Sequence, residues 1–184
     1  GRSAVALEAG RKVAANVRLE QIEQFPTVEF FQTIPMLTLV RFARWQEVLD
    51  EPRPPQQLLY SNAISHYTRA VAHARQGDFP AAQSELAAME PLMGNDAIYF
   101  LDGNDYPASR ILAIAHALAR GELAQAKGDL PAATEAFEQA VAEQDELPYT
   151  EPPFWYYPSR QTLGRALLEQ GRGAEAEAVF RRDL

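Results

Sequence analysis

The chain has 184 residues, no cysteine, and 17 basic against 25 acidic side chains, a formal net charge of −8. That balance argues against a general nucleic-acid or anionic-membrane surface, and the missing thiol excludes disulfides, thiol catalysis and cysteine metal sites. An apolar content of 47% suffices for a core, but Pro35 and polar residues interrupt the longest apolar run well short of a membrane span. The lack of cysteine fits the cytoplasm or an exported location, and a cytoplasmic location is the expectation. The chain opens Gly1-Arg2-Ser3, without a visible signal peptide, and reads as a piece of a longer protein whose targeting signal can lie outside it.

Residues 3–18 read as a helix with Ala4, Leu7, Ala14 and Val17 on apolar positions and Arg11, Lys12 and Arg18 outside. Gly10 weakens that helix by about 1 kcal/mol relative to alanine. A second helical piece over 19–26 stops before Pro26, because the residue preceding a proline avoids the helical region. Phe25, Val28, Phe30, Phe31 and Ile34 then make a dense apolar patch. Pro35 either kinks a helix or begins one that runs to about Phe42. Arg44-Trp45 marks a turn, a short helix reaches about Asp50, and Glu51-Pro52-Arg53-Pro54-Pro55 is a stiff connector.

A long helix is expected over about 57–76 and a partner over about 79–90. Residues 91–106 form an insertion carrying Gly94-Asn95-Asp96 and Gly103-Asn104-Asp105. Pro107 opens the next helix, where Ile111, Ile114, Ala115 and Leu118 keep helical spacing; its partner carries Ala133, Ala136, Phe137, Ala140 and Val141. Leu147 to Pro158 is rich in proline and aromatics, and a last pair of helices covers about 158–170 and 173–183. No stretch reads as a convincing strand.

Two hexapeptides organise this pattern: Gly77-Asp78-Phe79-Pro80-Ala81-Ala82 and Gly128-Asp129-Leu130-Pro131-Ala132-Ala133. Each stops one helix and starts the next. The glycine takes the left-handed conformation in which a side chain would clash. The aspartate caps the new helix, and the proline sits in its first turn, where a missing N–H costs nothing. Two small residues then allow close packing. A motif of this kind, met twice, points to a repeat architecture.

The residues resemble the tetratricopeptide repeat, a Leu-Gly pair in a first helix followed by Ala-x-x-x-Phe in a second. Leu163-Gly164 with Ala176 and Phe180 matches well; Gly121 with Ala133 and Phe137 comes next; Ala70 with Ala82 and Leu86 is a weaker copy. The two small residues stand 12 apart in all three copies, as helices crossing at that point require. Pro35 to Trp45 suggests a degenerate fourth copy, and residues 3–18 suit the second helix of a further one. The first-helix aromatics of the family are mostly missing, and the turn glycines stand 51 and 43 residues apart, so loops are inserted between copies. The run from Tyr149 to Arg160 also resembles the C-terminal part of uncharacterised bacterial tetratricopeptide proteins. The resemblance implies an all-α, right-handed α-solenoid of antiparallel helix pairs with irregular N-terminal helices, one domain over 1–184, with repeats at about 27–51 (degenerate), 57–90, 107–144 and 158–184. It implies an interaction protein and brings no activity.

Catalytic signatures are absent: there is no nucleotide-binding glycine loop, no Gly-x-Ser-x-Gly elbow and no His-Glu-x-x-His helix. His66 and His73 lie two turns apart on one helix and cannot share a ligand sphere, while His116 comes from elsewhere, so structural roles are expected and no metal site. The Gly-Asn-Asp triplets lack the alternating acidic spacing of a calcium loop and suit plain turns. Asp145, Glu146 and Glu151 suit a solvated loop better than paired acid/base carboxylates. Glu151 and Arg160 are of opposite sign and suggest a pair across that loop.

Two readings fit the four consecutive aromatics Phe154, Trp155, Tyr156 and Tyr157. They fill the gap between two repeats, or Trp155 and Tyr156 line a recognition surface, as aromatics do at interface hot spots. In the family the first helices line a concave face. Mapped here, that face carries Tyr67, Val71 and Arg75, then Leu118, Glu122 and Gln125, then Gln161, Arg165 and Leu168, with Phe30, Leu37 and Arg41 extending it. Tyr67, Arg75, Glu122, Gln125, Gln161 and Arg165 are the candidate groove residues, and the mixture suits a peptide or a partner helix as well as an ordinary solvated face. The leading expectation is a non-catalytic protein–protein interaction scaffold without a cofactor. The alternatives are an accessory domain of a larger enzyme and a small-molecule module using the 149–160 loop. Ala174, Val179 and Phe180 would face a following repeat, which predicts a downstream helix or homodimer contact there.

Overall fold

Gly77, Gly128 and Gly171 stop three helices with φ of +83°, +84° and +74°, the left-handed region that glycine enters without a steric penalty. The same two backbone bonds close each stop. At Gly77 they run from Gly77 N–H to the Ala74 carbonyl at 3.2 Å and from Asp78 N–H to the His73 carbonyl at 2.9 Å. Gly128 and Gly171 repeat them, so orphan carbonyls of the last turn find partners. Asp78 and Asp129 then cap the next helices, each accepting from a backbone N–H three residues on at 3.2 Å. Pro80 and Pro131 sit in the first turns, as the spacing predicts.

The computed structural model describes residues 1–183, which are all-helical without a strand. In order they form α1 (Arg2–Asn16), α2 (Leu19–Gln24), a 3-10 segment (Pro26–Thr33), α3 (Ile34–Arg41), α4 (Trp45–Asp50), α5 (Leu59–Gln76), α6 (Phe79–Met93), α7 (Asp96–Asp102), α8 (Ala108–Ala126), α9 (Leu130–Asp145), α10 (Ser159–Glu169) and α11 (Gly173–Arg181). The most intimate packing joins α8 to α9 and α5 to α6, followed by α5 to α8 and then α10 to α11. Further contacts link α6 to α8 and α9 to α10, while α1 lies on α3 and α4 on α5. No helix among the described residues is long and apolar enough to cross a membrane.

Three local features differ from the sequence expectation. Within the 91–106 insertion, Asn95 accepts from Ala97 N–H at 3.0 Å and starts α7, which buries Ile98 and Leu101. The first Gly-Asn-Asp triplet is therefore a helix start and the second its end. The apolar patch after Phe25 winds into a 3-10 segment whose Glu29 accepts from Ser61 N–H at 2.7 Å. A side chain from another element thus supplies the missing cap of α5, whose own N-cap position is Leu58. Pro91 is accommodated inside α6, which continues to Met93, while Pro35 follows the second of its two readings and begins α3.

The main core holds Ile64, Ile111, Ile114, Met89, Phe137 and Trp155, with a satellite of Leu7, Leu39, Val48 and Ala72 beneath α1, α3 and α4. Two close approaches fix the helix pairs. A β-carbon on Gly121 would overlap the Phe137 ring, and one on Gly164 would overlap the Phe180 ring. Ala70 and Ala82, both buried, occupy the corresponding positions of α5 and α6. At the end of the chain Ala174 is exposed, whereas Val179 and Phe180 are half-buried against the core.

Glycine to alanine inside a helix normally stabilises by about 1 kcal/mol. Here Gly121→Ala is expected to destabilise by about 1–3 kcal/mol, because Phe137 is fully enclosed and cannot yield. Gly164→Ala is expected to cost less, since Phe180 sits half-buried on a nine-residue helix. Urea unfolding of both variants checks the order; a stabilised Gly121→Ala would contradict the close crossing.

Candidate functional site

The long helix α5 presents Tyr67, Val71 and Arg75 at four-residue intervals, and α8 presents Leu118 and Glu122 at the same interval. Side chains so spaced share a helix face. These two faces meet Thr162 and Arg165 of α10, Val40 and Arg41 of α3, Trp45 of α4, and the segment Trp155-Tyr156-Tyr157. Together they enclose a pocket of about 170 Å³.

Aromatic packing holds the segment in place. Tyr67 lies 5.6 Å from the Trp155 ring, and Trp155 lies 4.9 Å from Tyr156. The Tyr67 and Tyr156 hydroxyls are 3.0 Å apart. Burial raises both phenols well above their usual range, so both stay protonated and each can donate. Trp155 is only 2% exposed. It therefore supports the pocket wall and is no free surface anchor, which favours the gap-filling reading for this residue.

Charge in the pocket is concentrated on four groups. Glu122, buried, contacts Arg75 Nη2 at 2.5 Å and Arg165 Nη2 at 3.1 Å, tying α5, α8 and α10 together. Arg165 also reaches Glu169 at 2.9 Å. Arg41 stacks its guanidinium over the Tyr157 ring at 4.0 Å. Tyr67, Arg75, Glu122, Arg165, Trp155 and Tyr156 are thus brought together as candidates. Gln125 and Gln161 are not: Gln125 turns to Glu169, and Gln161 donates to Asp183 at 3.1 Å. Arg41 was legible as an extension of this face, but Trp45 and Tyr157 were not, because only tertiary packing carries them there. The expected Glu151–Arg160 pair does not form. Arg160 makes a two-pronged contact with Asp145 at 2.5 Å, and Glu151 accepts from the Tyr149 hydroxyl.

The histidines take separate partners. His73 lies 3.6 Å from Asp78, and His116 lies 3.5 Å from Glu90. His66 belongs to a second charged cluster around Glu85 of α6. Glu85 accepts from Arg53 at 2.6 Å and Arg69 at 3.1 Å, and His66 Nδ1 lies 2.6 Å from its other oxygen. Arg69 donates onward to the Leu49 carbonyl at 2.8 Å. The cluster pins α4 and the proline-rich connector to the α5–α6 pair. Among the described residues no group of three or more potential ligands is placed to hold a metal ion.

Burial alone would raise the Glu85 carboxyl, but the hydrogen bonds from His66, Arg53 and Arg69 outweigh it and hold the group down at about 2, against a usual 4.5. The unfolded chain therefore binds the extra proton between those values. The stabilisation is complete above pH 4.5 and is lost as pH falls toward 2. It amounts to about 2–3 kcal/mol. Urea unfolding between pH 7 and pH 2.5 is expected to show the gap between the native chain and Glu85→Gln narrowing by about this amount as acid is added. A gap independent of pH would refute it. No protein-family model, curated protein or solved structure matches this chain.

Proposed function

We propose that the chain is a non-catalytic interaction module, a right-handed solenoid of antiparallel helix pairs of the tetratricopeptide kind, which engages a protein partner at the face carried by α5, α8 and α10. The observation that carries the reading is the convergence of Tyr67, Arg75, Glu122 and Arg165 from three helices on one pocket. Arginine, tyrosine and tryptophan are the side chains that concentrate binding energy at interfaces. The three glycine-ended helices and the small-residue crossings support the repeat reading.

The aromatic segment changes the expected mode of binding. Trp155 and Tyr156 occupy the middle of the face, so an extended peptide has no continuous track along it. A partner is instead received by a chain end or a protruding side chain entering between Arg41, Arg75 and Arg165.

The test is co-purification of the full-length protein from its native cells beside the triple variant Arg75→Gln/Glu122→Gln/Arg165→Gln. Glutamine keeps the shape of Glu122 and shortens each arginine, and removing the three charges together leaves none of them unpaired. The expected result is a partner captured by the native protein and lost by the variant, with the thermal unfolding of the two chains within a few degrees. Retention of the partner by a folded variant would move the site elsewhere, and a measured turnover without any partner would overturn the reading.

A further inference from the structure

We infer that the apolar pocket enclosed by α2, the 3-10 segment, the start of α5 and α7 binds a small organic ammonium ion, an alkyl or arylalkyl primary amine, with Glu29 as its counterion. The buried carboxylate comes first. Glu29 is 7% exposed and lines this pocket. The other two buried glutamates, Glu85 and Glu122, each meet at least two basic side chains. No basic side chain pairs with Glu29 among the described residues, and burial raises its carboxyl above the usual range.

The N-terminus of α5 meets part of the charge. Ser61 N–H donates to one oxygen at 2.7 Å, and the Tyr60 N–H and the Ser61 hydroxyl also favour the charged form. The aligned peptides of a helix add about half a positive charge at this end. These are dipoles rather than a countercharge. A buried carboxylate without a countercharge is costly, and a cation admitted beside it removes that cost.

The rest of the lining selects the same sign. Glu23 of α2 is acidic as well. Tyr60 stays neutral, because burial raises its phenol and its hydroxyl is paired with that of Tyr106 at 2.8 Å. No basic residue lines the pocket: Arg18 precedes Leu19 without joining the lining, and Arg53 is committed to Glu85. A metal ion is a poor occupant, since the walls are apolar and no group of three or more potential ligands is assembled among the described residues.

Size and walls describe the body of the ligand. The pocket holds about 280 Å³. An apolar cavity of about 150 Å³ admits benzene, so a ring or a short chain fits here together with its ammonium group. Leu19, Ile22, Leu59, Ile98, Phe100 and Leu101 supply the walls. Leu19 and Phe100 are themselves exposed, which marks the side open to solvent. The rings of Tyr60 and Phe100 add aromatic faces, on which an ammonium ion is favourable. This pocket shares no residue with the one at Tyr67 and Arg75, so occupancy of either does not require the other.

The experiment is calorimetric titration of the 184-residue chain at pH 7 with hexylamine, hexanol and hexanoate, alike in body and different in charge. Hexylamine is a cation there, as a lysine side chain is. Methylamine supplies the charge without the body. The expected result is saturable one-to-one binding of hexylamine, hexanol weaker by about tenfold or more, and no binding of hexanoate or methylamine. Glu29→Gln keeps an oxygen to accept from Ser61 N–H and removes the charge. It is expected to bring hexylamine down to the level of hexanol and to leave hexanol unchanged. Ala97→Leu fills the pocket from the exposed side of α7 and retains Glu29, and it is expected to weaken hexylamine and hexanol alike. Circular dichroism establishes that each variant is folded. Hexylamine bound no tighter than hexanol, hexanoate or methylamine bound as well as hexylamine, or a hexylamine affinity unmoved by Ala97→Leu or by a folded Glu29→Gln would each overturn the inference.

Discussion

The crossing of α8 over α9 at Gly121 sets the orientation of much else. With the Phe137 ring seated where a side chain would be, α8 has one permitted rotation about its axis. The next residue, Glu122, is carried about 100° round the helix and turns to the pocket. At α10 the same rule acts through Gly164 and Phe180, and the next residue, Arg165, turns to the same pocket. In α5 the crossing residue is Ala70, and Val71 follows it into the lining. Three helices thus deliver equivalent positions to one place. The Arg75–Glu122–Arg165 contact is a consequence of three close crossings.

This dependence explains what the sequence revealed. The glycine-aspartate-proline turns act within a few residues, and their φ values, caps and backbone bonds follow from local chemistry. Each crossing residue, Ala70, Gly121 or Gly164, stands seven positions before a helix-ending glycine, so the register of the pocket face is also written locally. Tyr67, Arg75, Glu122 and Arg165 were readable for that reason. Gln125 and Gln161 are on the right helices but are drawn aside by Glu169 and Asp183, acidic neighbours that no periodicity foretells. Trp45 and Tyr157 reach the pocket from irregular connections, where sequence spacing gives no direction.

The misread segments have a common physical cause as well. Gly-Asn-Asp suits a turn by composition, yet Asn95 also suits a cap, and the buried pair Ile98 and Leu101 tips the insertion into α7. Local propensity left both outcomes open and burial of two side chains chose between them. The Glu151–Arg160 pairing was inferred from sign alone. Asp145, at the end of α9, offers Arg160 both oxygens from an ordered helix, whereas Glu151 is exposed on the proline-rich segment. A guanidinium fork prefers a planar carboxylate held in position to one it must first order.

Two buried carboxylates with several cations each tie helices together in this chain. Glu85 is saturated: three basic groups converge on it, its carboxyl is pulled far down, and the cluster fastens α4 and the connector to α5 and α6. Glu122 likewise takes two guanidinium groups, Arg75 and Arg165, with Glu169 as a second partner of Arg165 and a cavity beside it. Each buried cluster gains by staying paired, because losing one partner leaves an uncompensated ion. Both lie against α5, whose His66 and Arg69 face the first while Tyr67, Val71 and Arg75 face the second.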